Sequence, residues 1–359
     1  MLILRRSDVA ETLQDREPEI IDLVAEAYRL HDAGSTALPH STFLRFPEER
    51  HRRDRIIGLP AYRGGAAPIA GMKWIASFPG NVAAGQERAS ASIVLNSVEN
   101  GHPTALLEGS VISAKRTAAS AALAARVLTD PEPPTGVTLV GCGVINREIL
   151  RFLAAALPGL ERATLYDRDP VRAEAFARTC VDVVPKVRTT VAATLDEALA
   201  AHPLLALATT AAEPHLDLSS CPPGSTVLHI SLRDLTVDTI LDAVNVVDDT
   251  DHVCREGTSL HLAEQRTGNR DFVAAQIGGC CGGRRRSGVM GDGMWCIRRS
   301  GWGCWISRWR SSCADGRRAR GWGYEWTTFS SPDQNPMKRV APERFPADAR
   351  PRKEGKPYP

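Results

Sequence analysis

No stretch of this 359-residue chain approaches the roughly 18 consecutive apolar residues that a membrane-spanning helix requires. Charge of one sign is also lacking. The 44 Lys and Arg nearly balance the 42 Asp and Glu, and the net charge of +2 is too small to draw nucleic acid or an anionic membrane as a partner. The opening segment "MLILRRSDVAETLQD" turns polar too early for a signal peptide, so a cytoplasmic location is expected. The nine cysteines include no C-x-x-C pair, and no histidines stand beside them at zinc spacing, so no metal site is expected. Four of them, Cys142, Cys180, Cys221 and Cys254, are scattered and read as reduced thiols. What remains is an ordinary soluble composition, 24% charged and 43% hydrophobic, long enough for two domains.

Residues 1–130 mix two periodicities. "EPEIIDLVAEAYRLHDAG" carries apolar residues at helical spacing and stops at Gly. "DRIIGLPAYRGG" and "PIAGMKWIASFPGN" read as strands, and "ASIVLNSVENGHPTALLEG" as a hairpin about Asn100-Gly101. "SVISAKRTAASAALAARVL" is an Ala-rich helix, and "TDPEPPTG" a linker. From Val137 strands alternate with helices up to "FVAAQIG", which argues for a doubly wound parallel sheet. The fold expected is therefore α/β. A Rossmann-type sheet over residues 131–278 follows an α+β domain over residues 1–130.

In "VGCGVINREI", Gly141 and Gly143 fit the first two positions of G-x-G-x-x-G: the first allows a tight turn, the second a close backbone approach to a pyrophosphate. Asn146 stands where the third glycine would be. Asp167 ends the next strand about 20 residues on, where the ribose-binding acid belongs, and favours NAD over NADP. Arg168 beside it softens that preference, and a plain tight turn with a solvated Asp167 is the competing account. In the first domain Arg45, Lys73 and Arg116 are cations in apolar surroundings, suited to carboxylates and, for a partly desolvated lysine, to proton transfer. Arg233 and Asp234, in "HISLRDL", sit at the C-terminal end of a strand, where α/β sheets place functional groups, although Asp234 would equally suit a helix N-cap. With a nicotinamide site, this set suits an anionic amino-acid substrate that gives up hydride.

These segments together resemble the ornithine cyclodeaminase/mu-crystallin family over residues 1 to about 278. "GMKWIASFPGN", "LNSVENGHPTALLEGSVISAKRTAASAALAA", "VGCGVINREI" and "HISLRDL" look most like the branch that oxidises N-(2-amino-2-carboxyethyl)-L-glutamate in 2,3-diaminopropionate biosynthesis. The resemblance implies that Arg45, Lys73 and Arg116 serve substrate carboxylates and catalysis, with Lys73 or Asp234 accepting the proton. It also implies that Thr209 and Thr210 line the cofactor NAD beside Gly141, Gly143, Asn146 and Asp167. Cyclodeaminases carry the acid in a Gly-Gly-Asp turn; here Arg233 precedes it, an added guanidinium for a substrate with three carboxylates. A homodimer through the first domain's sheet is implied as well. Ornithine cyclisation, or ligand binding of the mu-crystallin kind, is the alternative.

The family does not end as this chain does. "MWCIRRSGWGCWISRWR", residues 294–310, holds four of the seven tryptophans, interleaved with arginine. Family members of this branch have a segment like VVFSPFGLGVLDLAVA there. With Trp as TGG, Met as ATG, Arg as CGN and Ser as TCN, reading from the third base of the Met294 codon accommodates VVYSPFGLGVLDLAVA throughout. Residues 279–359 are therefore expected to be out of frame and mostly disordered, at a cost in stability and activity.

Overall fold

The computed structural model describes residues 1–129 and 131–281 and the backbone of 295–298. It builds two sheets, both within a unit that spans Met1–Glu325. The first sheet collects β1 (Leu2–Leu4), β2 (Thr36–Ala37), β3 (Thr42–Arg45), β4 (Arg55–Arg63), β5 (Ile69–Ser77), β6 (Ala89–Asn96) and β7 (Pro103–Glu108). Its order is β1-β7-β6-β5-β4-β2, with β3 also on β4; all pairs are antiparallel except β1 with β7. The β6–β7 turn falls at Gly101, whose φ of +76° explains the glycine. Helices α1 (Arg6–Leu13), α2 (Glu17–Asp32) and α3 (Ser110–Leu128) cover one side.

Alternation along β4 and β5 sorts this sheet into two faces. Register pairs Pro60 with Met72 and Gly58 with Trp74 on one face, where Leu44, Tyr62, Met72 and Trp74 are exposed. The opposite face carries Arg45 against Arg55, Arg55 against Ser77, and Leu59 against the buried Lys73.

The second sheet is parallel throughout. Its members are β8 (Gly136–Val140), β9 (Arg162–Tyr166), β10 (Arg188–Val191), β11 (Leu204–Leu207), β12 (Thr226–His229), β13 (Val244–Val247), β14 (Val273–Gln276) and β15 (Trp295–Arg298). The crossovers include α4 (Val144–Ala156), α5 (Pro170–Val183), α6 (Leu195–Ala201), α7 (Val237–Asp242), α8 (Thr250–Val253) and α9 (Ser259–Thr267). The order β10-β9-β8-β11-β12 reverses direction between β8 and β11, the crevice where doubly wound sheets bind ligands. Strand interiors from Val137 to Leu139 and Leu204 to Leu207 are fully buried, as two helix-covered faces require.

Helix α3 joins the two halves, touching β6 of one sheet and β12 of the other. Ala118, Ala119, Ala121, Ala122, Ala124 and Ala125 are all buried there, because small side chains let neighbouring elements approach on every side. The chain after β14 returns to the first domain as α10 (Ile277–Cys281), packed on α2. A Cβ on Gly278 would lie 2.5 Å from the Tyr28 carbonyl, so only glycine fits that crossing.

The segment 279–359 is expected to be mostly disordered; of it, the described residues are the end of α10, to Cys281, and Trp295–Arg298, a parallel strand between β12 and β13. Those two strands are buried, and their backbone groups require a partner that only a strand in this slot supplies. The remainder of the expected disordered tail lies outside the described residues.

Candidate active site

The glycine turn caps β8 at the crevice. Gly141 has φ +93°, and a Cβ there would lie 2.6 Å from the Ala208 carbonyl oxygen on the next strand's exit. Gly143 is the N-cap of α4, and a Cβ on it would meet nothing nearer than Arg172 Nη2 at 3.6 Å, which leaves room for a ligand against the helix N-terminus. Asp167 accepts from the Cys142 amide at 2.8 Å, and Arg172 Nε lies 3.6 Å from it. A glycine turn, a helix N-terminus with open space at Gly143 and an acid at the end of the next strand form a cradle of the kind that suits an anionic dinucleotide.

Asn146 corrects one expectation. It is fully buried, and its Nδ2 donates to the carbonyls of Val140 at 2.9 Å and Gly141 at 2.7 Å. It therefore shapes the turn from beneath and does not face the cradle. Gly141→Ala is expected to cost about 1–3 kcal/mol through its left-handed backbone, with more from the Ala208 overlap. NADH fluorescence titration should show binding weakened at least tenfold, and urea denaturation the lost stability.

The turn after β12 is built around a buried carboxylate. Asp234 accepts from Ser231 Oγ and from Thr209 Oγ1, and lies 3.0 Å from His229 Nε2. Burial alone would raise its pKa, but these hydrogen bonds and the histidine outweigh it and lower the carboxyl to about 2. Such a carboxylate stays ionised and is a poor proton acceptor. Leu232 in the same turn has φ +71°, a conformation suited to glycine, and its carbonyl accepts from the Ser259 amide at 2.9 Å. Thr209, expected at the cofactor, thus spends its hydroxyl on Asp234, whereas Thr210 is exposed on the same loop.

Lys73 and Arg116 are buried together between β5 and α3. Lys73 Nζ donates to Ser113 Oγ at 3.3 Å. Burial, and then the neighbouring Arg116 charge, push the lysine pKa well below its ordinary value. The sequence neighbour of Arg116 on α3, Lys115, has a different use: it bridges Glu17 and Glu148 at 3.5 and 3.7 Å, tying α2 and α4 to α3.

Arg45 and Arg233 meet at one loop residue. Arg45 Nη2 donates to Glu256 Oε2 at 2.8 Å, and Arg233 Nη2 to the Glu256 carbonyl at 2.5 Å. Sequence reasoning missed two further guanidiniums here. Arg55 lies directly opposite Arg45 in register, and Arg88 donates to Ser77 Oγ at 2.9 Å, the residue opposite Arg55 on the other side. The alternation of β4 was legible and put Arg55 on the Lys73 face; its strand partner was not.

The profile of the ornithine cyclodeaminase/mu-crystallin family matches residues 1–287. The chain is 29% identical over 282 residues to an N-((2S)-2-amino-2-carboxyethyl)-L-glutamate dehydrogenase of Staphylococcus aureus, covering 77% of this chain and 84% of that protein. It is 36% identical to an ornithine cyclodeaminase of Agrobacterium fabrum over 128 residues, 36% of this chain and 34% of the other. Among solved structures, the fold matches the Thermococcus litoralis Delta(1)-pyrroline-2-carboxylate reductase in complex with NADH and L-proline, with a TM-score of 0.82 and 23% identity. That match covers 91% of this chain and all of the other. An archaeal alanine dehydrogenase dimer with bound NAD matches with a TM-score of 0.80 and 24% identity, covering 92% and 99% of the two chains.

Proposed function

Since the chain belongs to the ornithine cyclodeaminase/mu-crystallin family, we propose that it oxidises N-(2-amino-2-carboxyethyl)-L-glutamate with NAD, releasing 2-oxoglutarate and L-2,3-diaminopropionate. At the coarser level it is an NAD-dependent oxidoreductase acting on the CH–NH bond of an amino-acid substrate. The observation that carries the finer reading is the number of cations gathered about the Lys73 face of the first sheet and the Glu256 loop. Lys73 and Arg116 form one group, and Arg45 and Arg233 share Glu256 in another, more than a substrate with one carboxylate needs.

Bound in the cradle of Gly141, Gly143 and Asp167, NAD supplies the hydride acceptor. The remaining work falls to side chains. Arg116 and the Arg45–Arg233 group hold the substrate's carboxylates and so orient the glutamate Cα. Oxidation at that carbon needs the nitrogen's lone pair, so the substrate ammonium must first lose a proton. Lys73, its pKa lowered by burial and then by the Arg116 charge, takes it at Nζ. Asp234, already saturated with donors, is a positioning residue that fixes the turn bearing Arg233. The resulting C=N bond adds water and breaks to the keto acid and the amine. The exposed Leu44, Met72 and Trp74 face supports a homodimer through the first sheet.

The test is NADH absorbance with NAD and either N-(2-amino-2-carboxyethyl)-L-glutamate or ornithine. NADH formed with stoichiometric 2-oxoglutarate from the first substrate is expected. No NADH, with proline and ammonia from ornithine, would make the protein a cyclodeaminase.

The reading applies to the chain with its C-terminal frame restored. Arg298 takes a register position between His229 and Val247, both fully buried, where a strand covered on two faces calls for apolar residues. The shifted codons across 295–298 spell Val, Val, His or Tyr and then Pro, Ser or Thr, which puts an uncharged residue in place of Arg298 and β-branched and aromatic residues before it. Restoring the frame is expected to raise the melting temperature by about 5 °C. Scanning calorimetry of both forms checks this, and an unchanged midpoint would count against the shifted frame.

A further inference from the structure

We propose that Arg55 determines specificity by binding a second substrate carboxylate, remote from the one at Lys73 and Arg116, with Arg45 and Arg233 beside it and Arg88 behind. This deepens the reading above and rests on it. Three cationic side chains come from the first sheet and its edge. Arg45, Arg55 and Ser77 form one row across β3, β4 and β5, and Arg88 hydrogen-bonds Ser77 at the row's end. Arg233 approaches from the second sheet and shares Glu256 with Arg45.

Two arginines directly opposite each other in a sheet repel, and sequences avoid the pairing unless an anion sits between them. Glu256 is that anion here. It reaches the row from a loop, with its own backbone at φ +54°, a conformation rare for glutamate, and its side chain remains well exposed. A substrate carboxylate has the same chemistry and can share or displace it. Burial lowers the Arg55 pKa, as do Arg233, Arg88 and Arg45, with Glu256 opposing them; a bound anion would relieve all of these at once.

The spacing fits one elongated substrate. Lys73 lies four residues from Ser77 on the same face of β5, about 13 Å along the strand at roughly 3.3 Å per residue. An arginine side chain is long enough to close much of that gap, which leaves the span of a small polycarboxylate. An α-carboxylate at Lys73 therefore leaves the row free for a carboxylate at the substrate's other end.

Calorimetric titration of the full chain in the presence of NADH reads binding without turnover. The ligands are N-(2-amino-2-carboxyethyl)-L-glutamate, N-(2-aminoethyl)-L-glutamate, the γ-amide of the first, and citrate as a simple polycarboxylate. Arg55→Gln is expected to weaken the tricarboxylate about 100-fold and citrate by a similar factor. Against whichever analogue lacks the contacted carboxylate, the same variant should lose less than threefold, because the partner is already gone. Arg55→Lys should restore part of the affinity, and Arg52→Gln, an exposed neighbour, none of the loss. Equal weakening of all four ligands, or none, overturns the proposal; unchanged melting temperatures separate either result from misfolding. Citrate binding that depends on Arg55, with no binding of the tricarboxylate amino acid, would keep the anion site and discard the substrate assigned above.

Discussion

Lys73→Met is expected to lower kcat/KM about a thousandfold while leaving the protein as stable as before, or more so. The two effects have one cause. An amine buried between β5 and α3, with Arg116 beside it and, among the described residues, one long hydrogen bond to Ser113, is held at a cost in folding free energy. Methionine fills nearly the same volume without that cost, so melting temperature should hold or rise as activity falls. The pH profile makes the test specific. The lowered lysine pKa means that kcat/KM rises as pH passes upward through it and Nζ becomes neutral. Lys73→Arg keeps the charge but cannot release it, so the acid limb assigned to this group should vanish and the rate remain low. A lysine that only bound carboxylate would be substantially rescued by arginine.

Asp234→Ala should cost about 3–5 kcal/mol of stability at neutral pH, the range for stripping one partner from a buried charged network. Thr209 and Ser231 lose the acceptor they share, and the buried His229 loses the carboxylate 3.0 Å from its Nε2. The linkage sign follows from the lowered pKa. The folded carboxyl titrates near 2 and its ordinary value is 3.8, so its contribution is complete above about pH 4 and is lost as pH falls through about 2. Urea unfolding of wild type and Asp234→Ala at pH 7 and pH 3 checks both points. The gap between the two proteins should be wide at pH 7 and narrower at pH 3. A gap independent of pH would mean that the carboxylate's charge contributes nothing to the turn.

The two domains were legible because their periodicities differ. Alternating residues in β4 and β5, the Ala-rich face of α3 and the strand–glycine–helix passage at Gly141 each follow from local chemistry. Lys73 and Arg116 could be picked out as cations among apolar neighbours, and the structure brings them together. Three features were not accessible in the same way. Asn146 looked like a failed third glycine, yet its amide ties the turn through bonds that depend on the fold of two carbonyls. Arg55 belongs to the site only through its register with Arg45, and register is set by pairing between distant segments. Leu232 at φ +71° runs against backbone preference and is held there by groups from elsewhere in the sequence. The strand at Trp295–Arg298 answers a demand of its neighbours β12 and β13 and not a pattern of its own residues.

Hydride is expected to leave the glutamate Cα of a secondary amine oriented by these cations. The most direct measurement is the mass of NADH formed from N-(2-amino-2-carboxyethyl)-L-glutamate deuterated at that carbon. One deuterium per NADH, with an equal amount of 2-oxoglutarate, is the result predicted. Unlabelled NADH, or label retained in a cyclised product, would contradict it.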